Sequence, residues 1–147
     1  MPVELPKFNL TTPEADASGD AVTHYPPFSN NTYFELQADG KVTLWAPTKG
    51  ATTENSSRTR TEFREIDEVT QEQRNFVFAE ENVTLRVGVT MTQVTPNGRV
   101  VIAQFHLKAS SKPLLKVEFD NGKLKAKIRQ HLNGSEVVVR LHEGVRM

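Results

Sequence analysis

Residues 113–129 read PLLKVEFDNGKLKAKIR. Two strand-like runs, Leu114–Phe119 and Lys123–Arg129, flank Asp120-Asn121-Gly122. An Asn-Gly pair supplies the positive φ that a tight hairpin turn requires, so the stretch predicts two antiparallel strands. The same punctuation recurs along the chain. Asn133-Gly134 separates Lys123–Arg129 from Glu136–Leu141, and Pro96-Asn97-Gly98 precedes Arg99–Leu107. Ala38-Asp39-Gly40 lies between Thr32–Leu36 and Lys41–Trp45. From Asn82 to Val94, apolar Val83, Leu85, Val87, Val89 and Met91 alternate with mostly polar residues. That period of two predicts a further half-buried strand, and its β-branched residues suit a pleated surface.

Helix signals are scarce: only Thr70–Asn75 reads as a helical turn. Residues 11–31, with Pro13, Gly19, Pro26 and Pro27, read as a long loop, and residues 46–57 as a second. There is no internal repeat and no low-complexity tract. Short antiparallel strands with regular turns predict an all-β antiparallel sandwich or jelly roll. A length of 147 residues suits one domain, 1–147, with one core.

Composition narrows the function classes. Lys+Arg and Asp+Glu both number 18, so net charge is zero, which argues against a nucleic-acid partner. No apolar run approaches the ~20 residues of a membrane helix. With no cysteine there is no disulfide framework, thiolate metal site or thiol nucleophile. MPVELPKFNLTTPE carries no apolar stretch of a secretory leader. Asn-x-Ser/Thr sequons stand at Asn9, Asn30, Asn55, Asn82 and Asn133, a weak sign of secretion in so Asn- and Thr-rich a chain. Residues 101–147 carry 9 bases against 4 acids. Such an excess faces an anionic ligand or is a solvated strand surface.

Two constellations could carry chemistry. Arg58, Arg60, Glu62 and Arg64 lie two apart in SSRTRTEFREI, so on a strand they emerge on one face. Glu62 can hold neighbouring guanidiniums in place, and the row suits a carboxylate or sulfate. The other reading is an exposed edge strand with solvated ion pairs, worth little in stability. Gln104 and His106, in VVIAQFHLK, share a face with Val100 and Ile102. Polar groups on so apolar a strand need partners, either as a site or as a satisfied core histidine. His24, His131 and His142 show no metal-ligand spacing, and no P-loop, HExxH, GxSxG or dinucleotide motif occurs. Trp45 reads as core, with sugar stacking as the other use.

These two segments resemble the signatures of polysaccharide lyase family 7, the alginate lyases. The family carries an Arg-(Ser/Thr)-Glu-(Leu/Val)-Arg strand and a Gln-(Ile/Val)-His strand. Here they read Arg60-Thr61-Glu62-Phe63-Arg64 and Gln104-Phe105-His106. KFNLTTPE is similar to the family's opening strand. Asp39-Gly40, Leu44-Trp45-Ala46-Pro47 and Gly50-Ala51-Thr52-Thr53 follow in the family's order, and Pro113–Lys116 with Asn121-Gly122-Lys123 resembles the segment after Gln-(Ile/Val)-His. Phe63 and Phe105 replace the usual aliphatic residues. The middle residue of the second motif tracks guluronate or mannuronate preference in the family, so Phe105 leaves that choice open. The family's tyrosine-bearing Y-F-K-A-G-x-Y-x-Q motif is not found, and the sequence resembles about the first two-thirds of the family domain.

The resemblance implies a jelly roll of the concanavalin A-like type and cleavage of 1,4-linked uronates by β-elimination. It casts Arg60, Gln104 and His106 as catalytic. Arg60 and Gln104 would neutralise the uronate carboxylate. His106 would take the C5 proton, with an ordinary imidazole pKa near ~6.5. Glu62, Arg64, Lys116 and Arg129 are expected to bind substrate, Glu62 by orienting the arginines. A chain without the tyrosine would lose about 10²–10⁴-fold in rate. No metal and no cofactor is implied. The expected partner is an anionic polysaccharide, alginate, with no nucleic acid and no membrane. Either a partner chain or a further segment is expected to complete the sheet, and the expected location is secreted or periplasmic. A non-catalytic uronate-binding module and a lyase for another polyuronate, such as glucuronan, are the competing readings.

Overall fold

The computed structural model describes residues 3–54, 56–77, 80, 82–108, 110–131 and 134–140. Asn55, Asn133, Leu141 and His142, each singled out in the sequence, lie outside them. The chain forms two compact units, Met1–Arg74 and Asn75–Met147. All strand pairs within the sheets are antiparallel.

The N-terminal unit opens with a 3₁₀ turn, Leu5–Lys7, and then holds two sheets. One has the order β2-β1-β5, from Ala21–His24, Phe8–Ala15 and Glu62–Glu65. The other is the hairpin β3-β4, Phe34–Leu36 with Val42–Leu44. Phe8, Phe28, Phe34 and Phe63 pack ring against ring at centroid distances of 5.6–6.0 Å, tying the hairpin to β1 and β5. Leu10 and Ile66 are buried with Phe34. Phe63, a departure from the family motif, is thus a core anchor of this unit. Such aromatic contacts add to stability beyond their burial.

The C-terminal unit is one sheet in sequential order, β6-β7-β8-β9: Arg99–His106, Pro113–Asp120, Lys123–Arg129 and Glu136–Arg140. Asn121 and Gly122 both take positive φ, as the hairpin reading predicts. Gly98 also has positive φ, and a Cβ there would stand 2.1 Å from Asn121 Oδ1, so the 96–98 and 121–122 turns are fitted to each other. One face of the sheet is apolar, with Phe105, Leu115, Ile128 and Val137 in register. Its other face carries Lys116, Glu118 and Asp120 opposite Lys127, Lys125 and Lys123.

Three expectations are corrected. The loop over 11–31 contains the end of β1 and all of β2. Asp16 closes their turn by accepting hydrogen bonds from Ser18 N and Asp20 N. Pro13 is tolerated in β1 because it lies past the β5 pairing, inside an irregularity of the β2 pairing. Residues 82–94 form no strand, and Val83, Leu85, Val87 and Val89 are exposed. Alternation marks a face fit for burial but does not supply a neighbouring strand. Thr70–Asn75 is not helical: Asp67 Oδ1 accepts from Val69 N and Thr70 N in a side-chain turn.

Candidate functional site

In the N-terminal unit, β5 begins at Glu62, so the expected row of four is shortened. Arg58 lies in a bend outside the strand, exposed, its backbone held by Ser56. Arg60 lies two residues before the start of β5 and donates from NH1 to Glu62 Oε1 at 2.9 Å. Glu62 is its only hydrogen-bond partner among the described residues, and its buried Nε finds no acceptor. Across the ladder Arg64 stands opposite Asn9, and Glu62 opposite Thr11. Burial pushes the Arg64 guanidinium below its ordinary value, and the charge of Glu62 works against that shift. It is still a cation at neutral pH.

Asn9 is a residue that sequence reasoning missed. It is buried on the ridge's face of β1, with no partner for Oδ1 among the described residues. Its signal is faint, an amide between Phe8 and Leu10 in a strand that reads as structural.

In the C-terminal unit, Gln104 and His106 share a face, with Gln104 Oε1 3.3 Å from His106 Nε2. A register shift between Val101 and Ala103 places one extra residue on β6. Val101, rather than Val100, therefore shares the face of Gln104. The bulge turns the pair onto the charged side of the sheet, with Gln104 directly opposite Lys116. Phe105 points to the apolar side and packs edge-on against Phe76, ring centroids 6.0 Å apart.

Lys116, Lys125 and Lys127 on this face are not available cations. Lys116 Nζ lies 3.2 Å from Glu136 and 3.4 Å from Glu118, and Lys127 Nζ lies 2.6 Å from Glu118. Lys125 and Arg99 both pair with Asp120. These groups, Lys125 first, hold the Asp120 carboxyl down at about 2, against the effect of burial. Burial raises Glu118, but Lys127 and Lys116 together outweigh it and leave the group below its ordinary value.

Arg129 corrects an expectation outright. Cast as a sugar-subsite residue, it is instead buried, and each donor nitrogen is taken. Nε donates to Pro113 O at 3.2 Å, NH1 to Gly134 O, and NH2 to Glu136 Oε1 at 2.9 Å. It clamps the sheet end rather than facing a ligand. Among the described residues no cluster of His, Asp and Glu could hold a metal, and no helix is long and apolar enough to cross a membrane.

A family model described as alginate lyase matches residues 3–147. The chain belongs to the alginate lyase family. Alginate lyase structures share its fold. One from Pseudomonas aeruginosa is 26% identical with a TM-score of 0.76, covering 95% of this chain and 67% of that one. Alginate lyase A1-II′, a member of polysaccharide lyase family 7, is 26% identical with a TM-score of 0.69, covering 92% and 62%. A substituted form of A1-II′ solved with a substrate, GGMG, is 23% identical with a TM-score of 0.67, covering 93% and 61%. No curated protein sequence matches. The chain thus spans between 61% and 67% of the length of these alginate lyases. The jelly-roll expectation agrees with them, and the all-β antiparallel architecture is the family's.

Proposed function

We propose that this chain cleaves alginate by β-elimination and that Arg60, Gln104 and His106 carry the reaction. The observation that supports it most is the ridge. Arg60 and Arg64 flank one acid, and Arg60 has no partner but Glu62 among the described residues. A guanidinium fixed by one acid and keeping spare N–H donors, as Arg60 does, suits a uronate carboxylate.

The chemistry makes such a row necessary. The C5 hydrogen of a uronate is weakly acidic, because its neighbour is already an anion. Removing it places a second negative charge on the enolate-like carboxyl group. Fixed donors aimed at that group lower the barrier, since they need no reorganisation as charge builds. Arg60 and the Gln104 amide serve this role, and Glu62 fixes the direction of Arg60. Arg64 and Lys116 flank the anionic chain, although Glu118 and Glu136 already answer most of the Lys116 charge. His106 removes the C5 proton. The electron pair forms the C4–C5 double bond, the C4–O4 bond breaks, and O4 leaves with a proton taken from water. A polymer too large to cross a membrane is met outside the cytoplasm, which is where this reading places the protein.

Alginate added to the chain should produce new ultraviolet absorbance from the unsaturated uronate end. Arg60→Ala, Gln104→Ala and His106→Ala should each lower that rate by about 10²–10³-fold. Wild-type rates in all three would sink the assignment. Alginate retained without any new absorbance would instead support a binding module. Faster cleavage of glucuronan than of alginate would move the substrate to another polyuronate.

A further inference from the structure

The β3-β4 hairpin carries a second feature that the lyase reading does not use. Phe34 pairs with Leu44 and Glu35 with Thr43, and Trp45 N donates to Tyr33 O at 2.9 Å one step beyond. Tyr33 and Trp45 are therefore cross-strand neighbours on the face opposite buried Phe34. Their rings stack at 5.7 Å, only 5° from parallel. Trp45 is 44% exposed. A tryptophan normally contributes to a core, and here it is held flat at the surface instead.

The two rings border a depression of about 400 Å³, whose lining includes Asn30, Asn31, Thr32 and Glu35. The two asparagines are fixed by the backbone. Asn30 Oδ1 accepts from Leu36 N at 2.8 Å, and Asn31 Oδ1 accepts from Tyr33 N at 2.8 Å and Phe34 N at 2.9 Å. Their carbonyl ends are occupied, so their NH₂ groups are left as preset donors. A flat apolar ring face beside fixed amide donors suits a pyranose. The C–H face of such a sugar lies on the aromatic ring while its hydroxyls reach the amides.

Charge selects the kind of sugar. Glu35 is the one charged residue of the lining. A carboxylate in the depression repels a uronate, whereas the Arg60–Arg64 ridge attracts one. We propose that the Tyr33–Trp45 shelf is a separate binding site for a neutral β-linked glycan, distinct in ligand class from the uronate site. Equatorial β-linkages keep the apolar ring faces of such a chain flat enough to stack. This inference stands whether or not the ridge is a lyase site.

Trp45 is the chain's single tryptophan, so its emission reports on this site alone. The full chain is titrated with cellohexaose and, separately, with an alginate hexasaccharide. Cellohexaose should give a saturable change in Trp45 emission, and Tyr33→Ala should weaken it by about tenfold. The alginate titration is repeated with Arg60→Ala, so that a change transmitted from the ridge disappears. Glu35→Gln, which removes charge without removing packing, should let the alginate hexasaccharide alter Trp45 emission. No response to cellohexaose at millimolar concentration overturns the site. An alginate response that persists in Arg60→Ala with Glu35 intact overturns the neutral ligand class, as does a Glu35→Gln chain that gains no alginate response.

Discussion

In the C-terminal unit, Lys116, Lys125, Lys127 and Arg129 each meet a carboxylate on the same sheet face. In the N-terminal unit, Arg60 meets only one oxygen of Glu62 among the described residues. By composition the C-terminal stretch is the more basic, with an excess of 5 positive charges over residues 101–147. Yet Lys116, Lys125, Lys127 and Arg129 are already answered. Three acids in register, Glu118, Asp120 and Glu136, hold five basic side chains, counting Arg99. The availability of charge to a ligand is set by strand register, not by the count of bases along the chain.

The largest effect that would test this contrast is at Arg129. Its guanidinium is buried and bound to Glu136 and to the carbonyls of Pro113 and Gly134. Arg129→Ala removes all three contacts; Glu136 keeps Lys116, but the Pro113 and Gly134 carbonyls lose this donor, a loss of about 1–3 kcal/mol for each buried acceptor left unpaired. Urea unfolding should show it as a lower midpoint. A loss below ~1 kcal/mol would mean that Arg129 behaves as a surface cation, and the contrast between the two units would fail there.

Acid should act next. The Asp120 carboxyl is held at about 2, against an ordinary value of 3.8. A group depressed by folding stabilises the folded chain fully above its ordinary value, and that contribution is lost as pH falls towards the depressed one. Asp120 therefore supports the C-terminal unit above about pH 4, progressively less down to about pH 2, and Glu118 adds in the same direction. Thermal melts of wild type and Asp120→Asn should differ at pH 6 and draw together between about pH 4 and about pH 2. A gap that stays constant across that range would show that the carboxylate's charge is not what Lys125 and Arg99 hold.

Local rules made much of this legible. Asn121-Gly122 placed a hairpin because the pair tolerates positive φ, and the strand after it runs Lys123–Arg129 as read. The Arg60/Glu62/Arg64 and Gln104/His106 spacings brought those side chains to common faces, as a period of two requires. What sequence could not supply was the partner. Residues 82–94 alternate as well as any strand, yet no described strand lies beside them. Lys116 and Arg129 looked like free cations because their acids come from elsewhere in the sheet. The bulge at Ile102 changed which valine accompanies Gln104, and no residue there announces a bulge. Asn9 reads only as a sequon, because its position opposite Arg64 exists only once β1 and β5 pair.

The smallest effect is at Lys127, and it tests the contrast most sharply. Lys127 is one of three lysines spaced two apart in the sequence, Lys123, Lys125 and Lys127. In the fold its ammonium lies 2.6 Å from Glu118, which also has Lys116 beside it. Lys127→Ala leaves Glu118 a second cation, so stability should fall by no more than about 1 kcal/mol. Alginate affinity should change less than about threefold, because the charge removed was already neutralised. Arg60→Ala, which removes a cation whose only described partner is one oxygen of Glu62, should weaken binding far more at the same salt concentration. Equal losses from the two variants would place the sugar chain along β8 and make the lysine face a subsite, because a salt-bridged ammonium can matter that much to a ligand only by leaving its acid for the substrate.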